Sequence, residues 1–483
     1  MPPSRSQSII SLIKTTLFAA VAGACLMTLL YADTPGAGSF TAGSAALSAF
    51  STNTASAVVV RPAGLGGTGI PTGMHQAVWD LAAINSEMPA GSLAIAGMLP
   101  EDYDNAMAIE WSWLNRRGTP QPLEVDLHKP IGYAEIESIL FNLDLYEGVD
   151  VLDIGDSAQG RNIYMVTIDL QAEDMPASDK PVILLTGSVH AREFAGADYL
   201  VKMMNDLMIK AESDTYTRRL LAQVTIVCVP LVNPDGRELI MNGGDADRKS
   251  NANGVDLNRN MPSLNAGMLL EGMQSSADID EMPSLDFFPG YRLGSESESR
   301  AMIRFFNTYV PDARTRLYVD LHQRGQFMYY NKPFLTYHSD ERSQAFAAAV
   351  SALLNDGYPP QREAYRYGLN GQGGTMTDYA RSVAEGMVYS YKYGRLVLMM
   401  DGVETPLVRF RDLDNAIKAY RPANPAFIAI TPEIGTEFSI GPDEQARQLR
   451  AQTYDEFGWA DFLPGIIQMV LGEAGVNGLK AAG

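Results

Sequence analysis

The sequence predicts an α/β domain, a mixed and largely parallel sheet flanked by helices, and three observations carry that prediction. Short β-branched or apolar runs, "NIYMVTI", "PVILLTG", "VTIVCVPL", "RLYVDL", "RLVLMM" and "AFIAITP", have the continuous hydrophobicity of strands covered on both faces. Segments between them, "YAEIESILFNLDL" for example, carry helical spacing, and the alternation of the two types from His128 onward is that of helices packed on a sheet. Polar residues gather just beyond the ends of four of the runs, where ligands bind in open α/β sheets.

In chain order, Arg5 and Lys14 precede an uncharged stretch from Thr15 to Ala32, the layout of a secretory signal. Residues 1–32 are therefore expected to be a signal peptide or a membrane anchor, with Cys25 ending a weak lipoprotein box. About 18 apolar residues are enough to span a bilayer if the segment stays uncleaved. Residues 33–74, dominated by Gly, Ala, Ser, Thr and Pro, lack the large apolar side chains that offset ordering entropy and read as a low-complexity linker. Residues 75–127 hold Trp79, Trp111 and Trp113, three of the four tryptophans, and are expected to be an extension packing on the main domain. Residues 128–475 form that domain. Export to the periplasm, the cell envelope or the medium is the expected fate.

At 483 residues, 46% of them hydrophobic, the chain can bury a large core. A net charge of −20 argues against a nucleic-acid partner, since phosphate neutralisation needs clustered Lys and Arg, and it disfavours anionic substrates at long range. A membrane enters only through the N-terminal segment, if uncleaved or lipidated. With Cys25 in the signal, Cys228 is left alone in "VTIVCVPL" and is expected to be a small apolar core residue.

The polar residues at the strand ends suggest a chemistry. "PVILLTG" leads to His190 and Glu193, "VTIVCVPL" to Asn233, Pro234, Asp235 and Gly236, "RLYVDL" to His322, and "AFIAITP" to Glu433. Zinc takes imidazole and carboxylate ligands and keeps one position open in catalytic sites. His190 and Glu193 are close enough to chelate from one turn, with His322 supplying a third ligand from a neighbouring strand. "HxxE" alone is a weak signal; the ordered set is not.

"HARE" (190–193), "NPDG" (233–236), "GVDLNRN" (254–260), "DLH" ending at His322 and "ITPEIG" with Glu433 together resemble family M14 of zinc carboxypeptidases, over roughly residues 128–470. The resemblance implies a sheet of eight mixed strands, one zinc ion per chain on His190, Glu193 and His322, and hydrolysis of the C-terminal peptide bond through a zinc-activated water. Glu433 would be the general base, with Glu437 as its rival. Asn258 and Arg259 would hold the terminal carboxylate of a peptide, a task that suits the bidentate guanidinium fork. Arg192 would lie near the substrate path. The oxyanion-stabilising cation would be Arg248, or failing that Lys249, because Asn253 stands beside the glycine where some relatives have Arg. Tyr367, or alternatively Tyr365, resembles the tyrosine that closes over substrate. Met376 or Thr377 would line the pocket for the last side chain, and since neither is charged, neutral or apolar C-terminal residues are expected. His75, His128 and His338 match no motif and read as surface or core residues.

Other readings differ in substrate or in chemistry. A murein amidase or peptidase of the same fold would suit an envelope location. An aspartoacylase-like deacylase shares the ligands and the Asn-Arg pair, but "HARE" does not match its first motif. A binding module without activity should lack a ligand or the base, and none of these is missing.

Overall fold

The computed structural model describes residues 112–114, 117–129, 131–172, 175–263, 287–290, 293–330, 341–355, 357–362, 374–392, 395–400, 403–405, 424–438 and 443–473. The expected signal and linker, most of the extension, His75, His338, Tyr365 and Tyr367 lie outside them. Among the described residues the strands are β1 (Ser112–Trp113), β2 (Val149–Asp156), β3 (Asn162–Ile168), β4 (Val182–Gly187), β5 (Thr225–Val229), β6 (Thr315–Leu321), β7 (Phe327–Tyr330), β8 (Pro360–Arg362), β9 (Met387–Lys392), β10 (Arg395–Met400), β11 (Val403–Thr405) and β12 (Ile428–Glu433).

Nine of them form one mixed sheet in the order β1-β2-β3-β5-β4-β6-β12-β7-β8. The four central strands β5, β4, β6 and β12 are parallel, while β2, β3 and β7 join antiparallel. The ninth strand, beyond the eight that the family resemblance implies, is accounted for by the two-residue β1 at one edge. "RLVLMM" forms β10, but in a separate three-stranded sheet with β9 and β11 rather than in the main one.

Helices cover the sheet on both faces, and the strands show it residue by residue, because successive side chains point to opposite sides. Ile183, Leu185, Ile226, Cys228, Val319 and Ile430 fall in one buried cluster, with the helices Tyr133–Leu143, Phe194–Ala211 and Phe462–Glu473. Leu184, Val227, Tyr318 and Ala429 fall in the other, with Ser297–Tyr309 and Met376–Ala384. All residues of β4 and β5 are buried, as continuous apolar runs require in a doubly covered sheet. Cys228 is fully buried and unpaired, and burial pushes its thiol well above the usual range.

The strand order positions the site. From β4 the chain passes to β5 on one side and, later, to β6 on the other, so the order reverses at β4. Such a switch point opens a crevice beyond the carboxyl ends of the two diverging strands. Two glycines let the next helix close on that rim: a Cβ on Gly196 would lie 2.7 Å from the Leu321 carbonyl oxygen, and one on Gly187 would lie 2.8 Å from the Gly196 carbonyl carbon. Any larger side chain at either position would lift Phe194–Ala211 off the ends of β4 and β6.

Candidate metal and catalytic site

Glu193 occupies the N-cap position of Phe194–Ala211, yet its side chain does not cap the helix. The Ala197 amide donates to Ser188 Oγ at 3.1 Å and the Ala195 amide to Gln323 Oε1 at 3.2 Å, so two first-turn donors are satisfied without it. Ser188 holds the left-handed conformation to do this, with φ 51°. The Glu193 carboxylate turns inward instead, its two oxygens 2.6 Å from His190 Nδ1 and 2.9 Å from His322 Nδ1. All three groups are buried, and one ligand atom from each lies within 4.8 Å of the others. His322 follows β6, and its backbone bridges to Glu433 at the end of β12.

Behind the rings stand two carboxylates. Asp256 Oδ1 is 3.2 Å from His190 Nε2, and Asp320 Oδ2 is 2.9 Å from His322 Nε2. Asp320 is placed by strand geometry: two residues before His322 it projects to the same face, where Thr186 Oγ1 donates to it at 2.7 Å. His322 thus has its Nε2 hydrogen-bonded to Asp320, Asp256 stands beside the Nε2 of His190, and both rings turn Nδ1 to Glu193; a carboxylate behind the ring is the arrangement that orients imidazole ligands of a metal.

The donor set fits a divalent cation electrostatically as well. Burial alone would raise the pKa of Glu193, but His190 and His322 hold it well below the carboxylate range. Burial would lower His322, yet Asp320 and Glu193 hold it well above the usual imidazole value. Asp256, despite burial, is held low by Lys249 and His190. Glu193, Asp256 and Asp320 thus make a field that favours positive charge between the rings. Imidazole, imidazole and carboxylate are the ligands zinc takes in catalytic sites.

A cavity of about 510 Å³ opens over this cluster, lined among others by His190, Glu193, His322, Glu433, Asn258 and Arg259. Burial first, then the nearby Glu193 and Asp320, push the Glu433 carboxyl up to about 8 against the opposing effects of His322 and Lys249. Glu437 is exposed and pairs with Arg324 at 3.0 Å. Asn258 accepts from the Met376 amide at 2.7 Å and brings Nδ2 to 3.3 Å from His322 Nε2. Arg259 also lines the cavity; its Nη1 donates to the Asn258 carbonyl at 2.6 Å. Arg192 lines it too, with Nη1 on the Asp247 carbonyl at 2.8 Å.

The two candidates for the oxyanion cation are placed differently. Arg248 folds its guanidinium back onto the carbonyls of Ser250 and Asn251 in its own loop, whereas Lys249, the fallback, lines the cavity with Nζ 2.7 Å from Asp256. Asn253 turns away to Glu296 at 2.8 Å. Of the two specificity candidates, Met376 is packed in the core and Thr377 faces the cavity, 3.0 Å from the Thr431 hydroxyl. His128 is exposed. Asp256, Asp320, Gln323 and Phe438 had no role in the sequence reading. A signal for the two aspartates was present in "GVDLNRN" and "DLH", each holding an acid within the motif.

"NPDG" proves to be scaffolding. Asn233 caps the helix Pro234–Met241 by accepting from the Gly236 amide at 2.9 Å, and its Nδ2 donates to the Val189 carbonyl beside His190. The loop carrying Asp256 and Asn258 is braced through Asn251, which donates to Glu296 at 2.9 Å and to Glu298 at 3.3 Å. Burial pushes the Glu298 carboxyl up to about 7. Its folded pKa thus lies above its unfolded one. Between about pH 4.5 and 7 the native state holds more protons, so stability falls as pH rises through that window. Glu298→Gln is expected to flatten this part of the stability profile, which amounts to roughly 3 kcal/mol at most. Urea unfolding of the two chains from pH 4.5 to 8 checks this, and parallel profiles would exclude it.

Comparison with known proteins agrees with this geometry. The family described as zinc carboxypeptidase matches residues 143–396, just over half of the chain. Carboxypeptidase B of Helicoverpa zea is 25% identical over 290 residues, covering 57% of this chain and 65% of that protein. An uncharacterised protein of Bacillus subtilis, YqgT, is 30% identical over 257 residues, covering 48% and 62%. The chain thus spans less than two thirds of these relatives' length. Among solved structures, thrombin activatable fibrinolysis inhibitor shares the fold with a TM-score of 0.50, at 16% identity over 73% of this chain and 77% of that one.

Proposed function

The chain belongs to the zinc carboxypeptidase family, and on that premise we propose that it is an exported enzyme that removes the last residue of peptides bearing a free C-terminal carboxylate. The observation that carries the reading is the meeting, in one cavity, of a His-Glu-His cluster, a carboxyl with a raised pKa and an Asn-Arg pair. Export rests on the layout of residues 1–32.

Arg259 and Asn258 receive the terminal carboxylate, the guanidinium supplying paired donors and a fixed orientation. Among the described residues Arg259 Nε is buried with no acceptor, a donor that a carboxylate would satisfy. The last side chain then meets Thr375, Thr377 and Thr431, hydroxyls that suit neutral residues. The zinc that His190, Glu193 and His322 would hold supplies Lewis-acid polarisation of the scissile carbonyl and lowers the pKa of a water. Glu433 takes the water proton and returns it to the leaving amine, a role that suits a carboxyl whose proton affinity is raised by burial. Lys249 contributes positive charge beside the developing oxyanion.

Mass spectrometry of a mixed peptide library incubated with the chain tests this. Loss of single C-terminal residues, stopped by a chelator and restored by zinc, is the expected result. No cleavage by a chain shown to contain one zinc would overturn it. Arg259→Ala is expected to lower kcat/KM on free C-termini by roughly 10- to 100-fold, the contribution of hydrogen bonds to a charged group, with zinc content unchanged. Unchanged kinetics would exclude recognition of the terminus by Arg259.

A further inference from the structure

We propose that a cluster of Arg192, Phe438 and Arg324 at the rim of the cavity selects peptides with an acidic side chain one or two residues before the scissile bond. The proposal rests on the carboxypeptidase reading and adds to it a substrate class.

The cations of the cavity fall into two groups, each gathered on a phenylalanine. Lys249 and Arg259 sit 4.4 and 5.6 Å from the centre of the Phe287 ring. Arg192 and Arg324 sit 4.5 and 5.0 Å from that of Phe438. The first group has its anions: Asp256 holds Lys249, and the peptide terminus is assigned to Arg259. The second brings two guanidinium groups to one ring. Asp247 meets Arg192 through its backbone oxygen, and Glu437 pairs with Arg324 across an exposed 3.0 Å contact. Exposed pairs of this kind are weak, so a substrate carboxylate can take the place of Glu437 at little cost. Two guanidinium groups within 5.0 Å of one ring centre concentrate positive charge at this rim, and planar forks of this kind suit a carboxylate.

The position along the peptide follows from what surrounds Arg259. A Cβ on Gly374 would lie 2.3 Å from the Arg259 carbonyl oxygen, and the Met376 amide donates to Asn258. The segment with Thr375 and Thr377 is therefore locked to the Asn258–Arg259 turn and belongs to the terminal residue. Arg192 and Arg324 instead belong to the loops that carry the metal ligands, within two residues of Glu193 and His322. With the terminal carboxylate on Arg259 and the scissile bond at the metal cluster, residues upstream of that bond are the ones that reach the Phe438 rim.

The test compares zinc-loaded full-length chain on peptide pairs that differ only as Glu or Gln, placed one or two residues before the scissile bond. Ionic strength is held constant, because the net charge of −20 opposes the approach of any anion. The Glu peptide is expected to show about tenfold higher kcat/KM at one of the two positions, as a partly desolvated Arg–carboxylate contact gives. The ratio should fall towards one in Arg324→Gln and rise in Glu437→Gln, which removes the competing carboxylate. Because each ratio is internal to one protein, a loss of folded material leaves it unaffected. Equal rates on Glu and Gln peptides that are both cleaved would overturn the inference and leave the peptidase reading standing. Failure to cleave either peptide would remove the peptidase reading itself.

Discussion

Glu433→Gln is expected to leave zinc stoichiometry intact and to lower kcat on peptides by roughly 10²- to 10⁴-fold, the range that a positioned general acid–base group supplies. Glu433 ends β12, where the sheet register fixes it: its backbone bridges to His322, and the Gln326 amide donates to its carbonyl at 2.7 Å. The carboxyl therefore sits beside the candidate metal cluster without belonging to it, since the set that could chelate is His190, Glu193 and His322. Gln has the same shape, opens no cavity and cannot accept and return a proton. Zinc content by atomic absorption and turnover at saturating peptide separate the two effects. Turnover within tenfold of the parent would move proton transfer to another group, and Glu437 would be the first to test, though its contact with Arg324 holds it outside the cavity lining.

The candidate chelating pair was readable because it is local: His190 and Glu193 stand three residues apart at the end of a strand whose apolar run has no competing interpretation. β6 and β12, which lead to His322 and Glu433, were readable for the same reason. β2, "VDVLDIGD", was not, because its three acids interrupt the apolar pattern while its buried face still packs on the core. "RLVLMM" shows the opposite limit. Its composition specifies a strand, but nothing local in it specifies which sheet it joins. Arg248 and Lys249 differ by one position in an irregular loop, where no period dictates which side chain faces the cavity. The Phe438 cluster joins residues more than a hundred positions apart, and only the folded chain brings them together.

His322→Ala is expected to remove zinc, and activity with it. Loss of an outer partner of a metal-bound histidine costs roughly 10- to 100-fold in affinity, so loss of the ligand itself should exceed that. The effect is expected to go further than metal binding. With the ring gone, Asp320 and Glu193 face each other across a buried gap with no cation between them, and the Gln323 amide, at 3.0 Å, remains as a donor to Glu193. Stripping one partner from a buried ionic contact costs about 3–5 kcal/mol, so the metal-free variant should also unfold at lower denaturant than the metal-free parent. Asp320→Asn separates the two consequences. It keeps the ring and removes one buried charge, so it should weaken zinc within the 10- to 100-fold range while stability changes less. Competition dialysis against a chelator gives the affinities and urea titration of the stripped proteins gives the stabilities. Full zinc retention by His322→Ala would mean that the metal is held elsewhere. Retention with lost stability would mean that His322 serves chiefly to neutralise the two carboxylates.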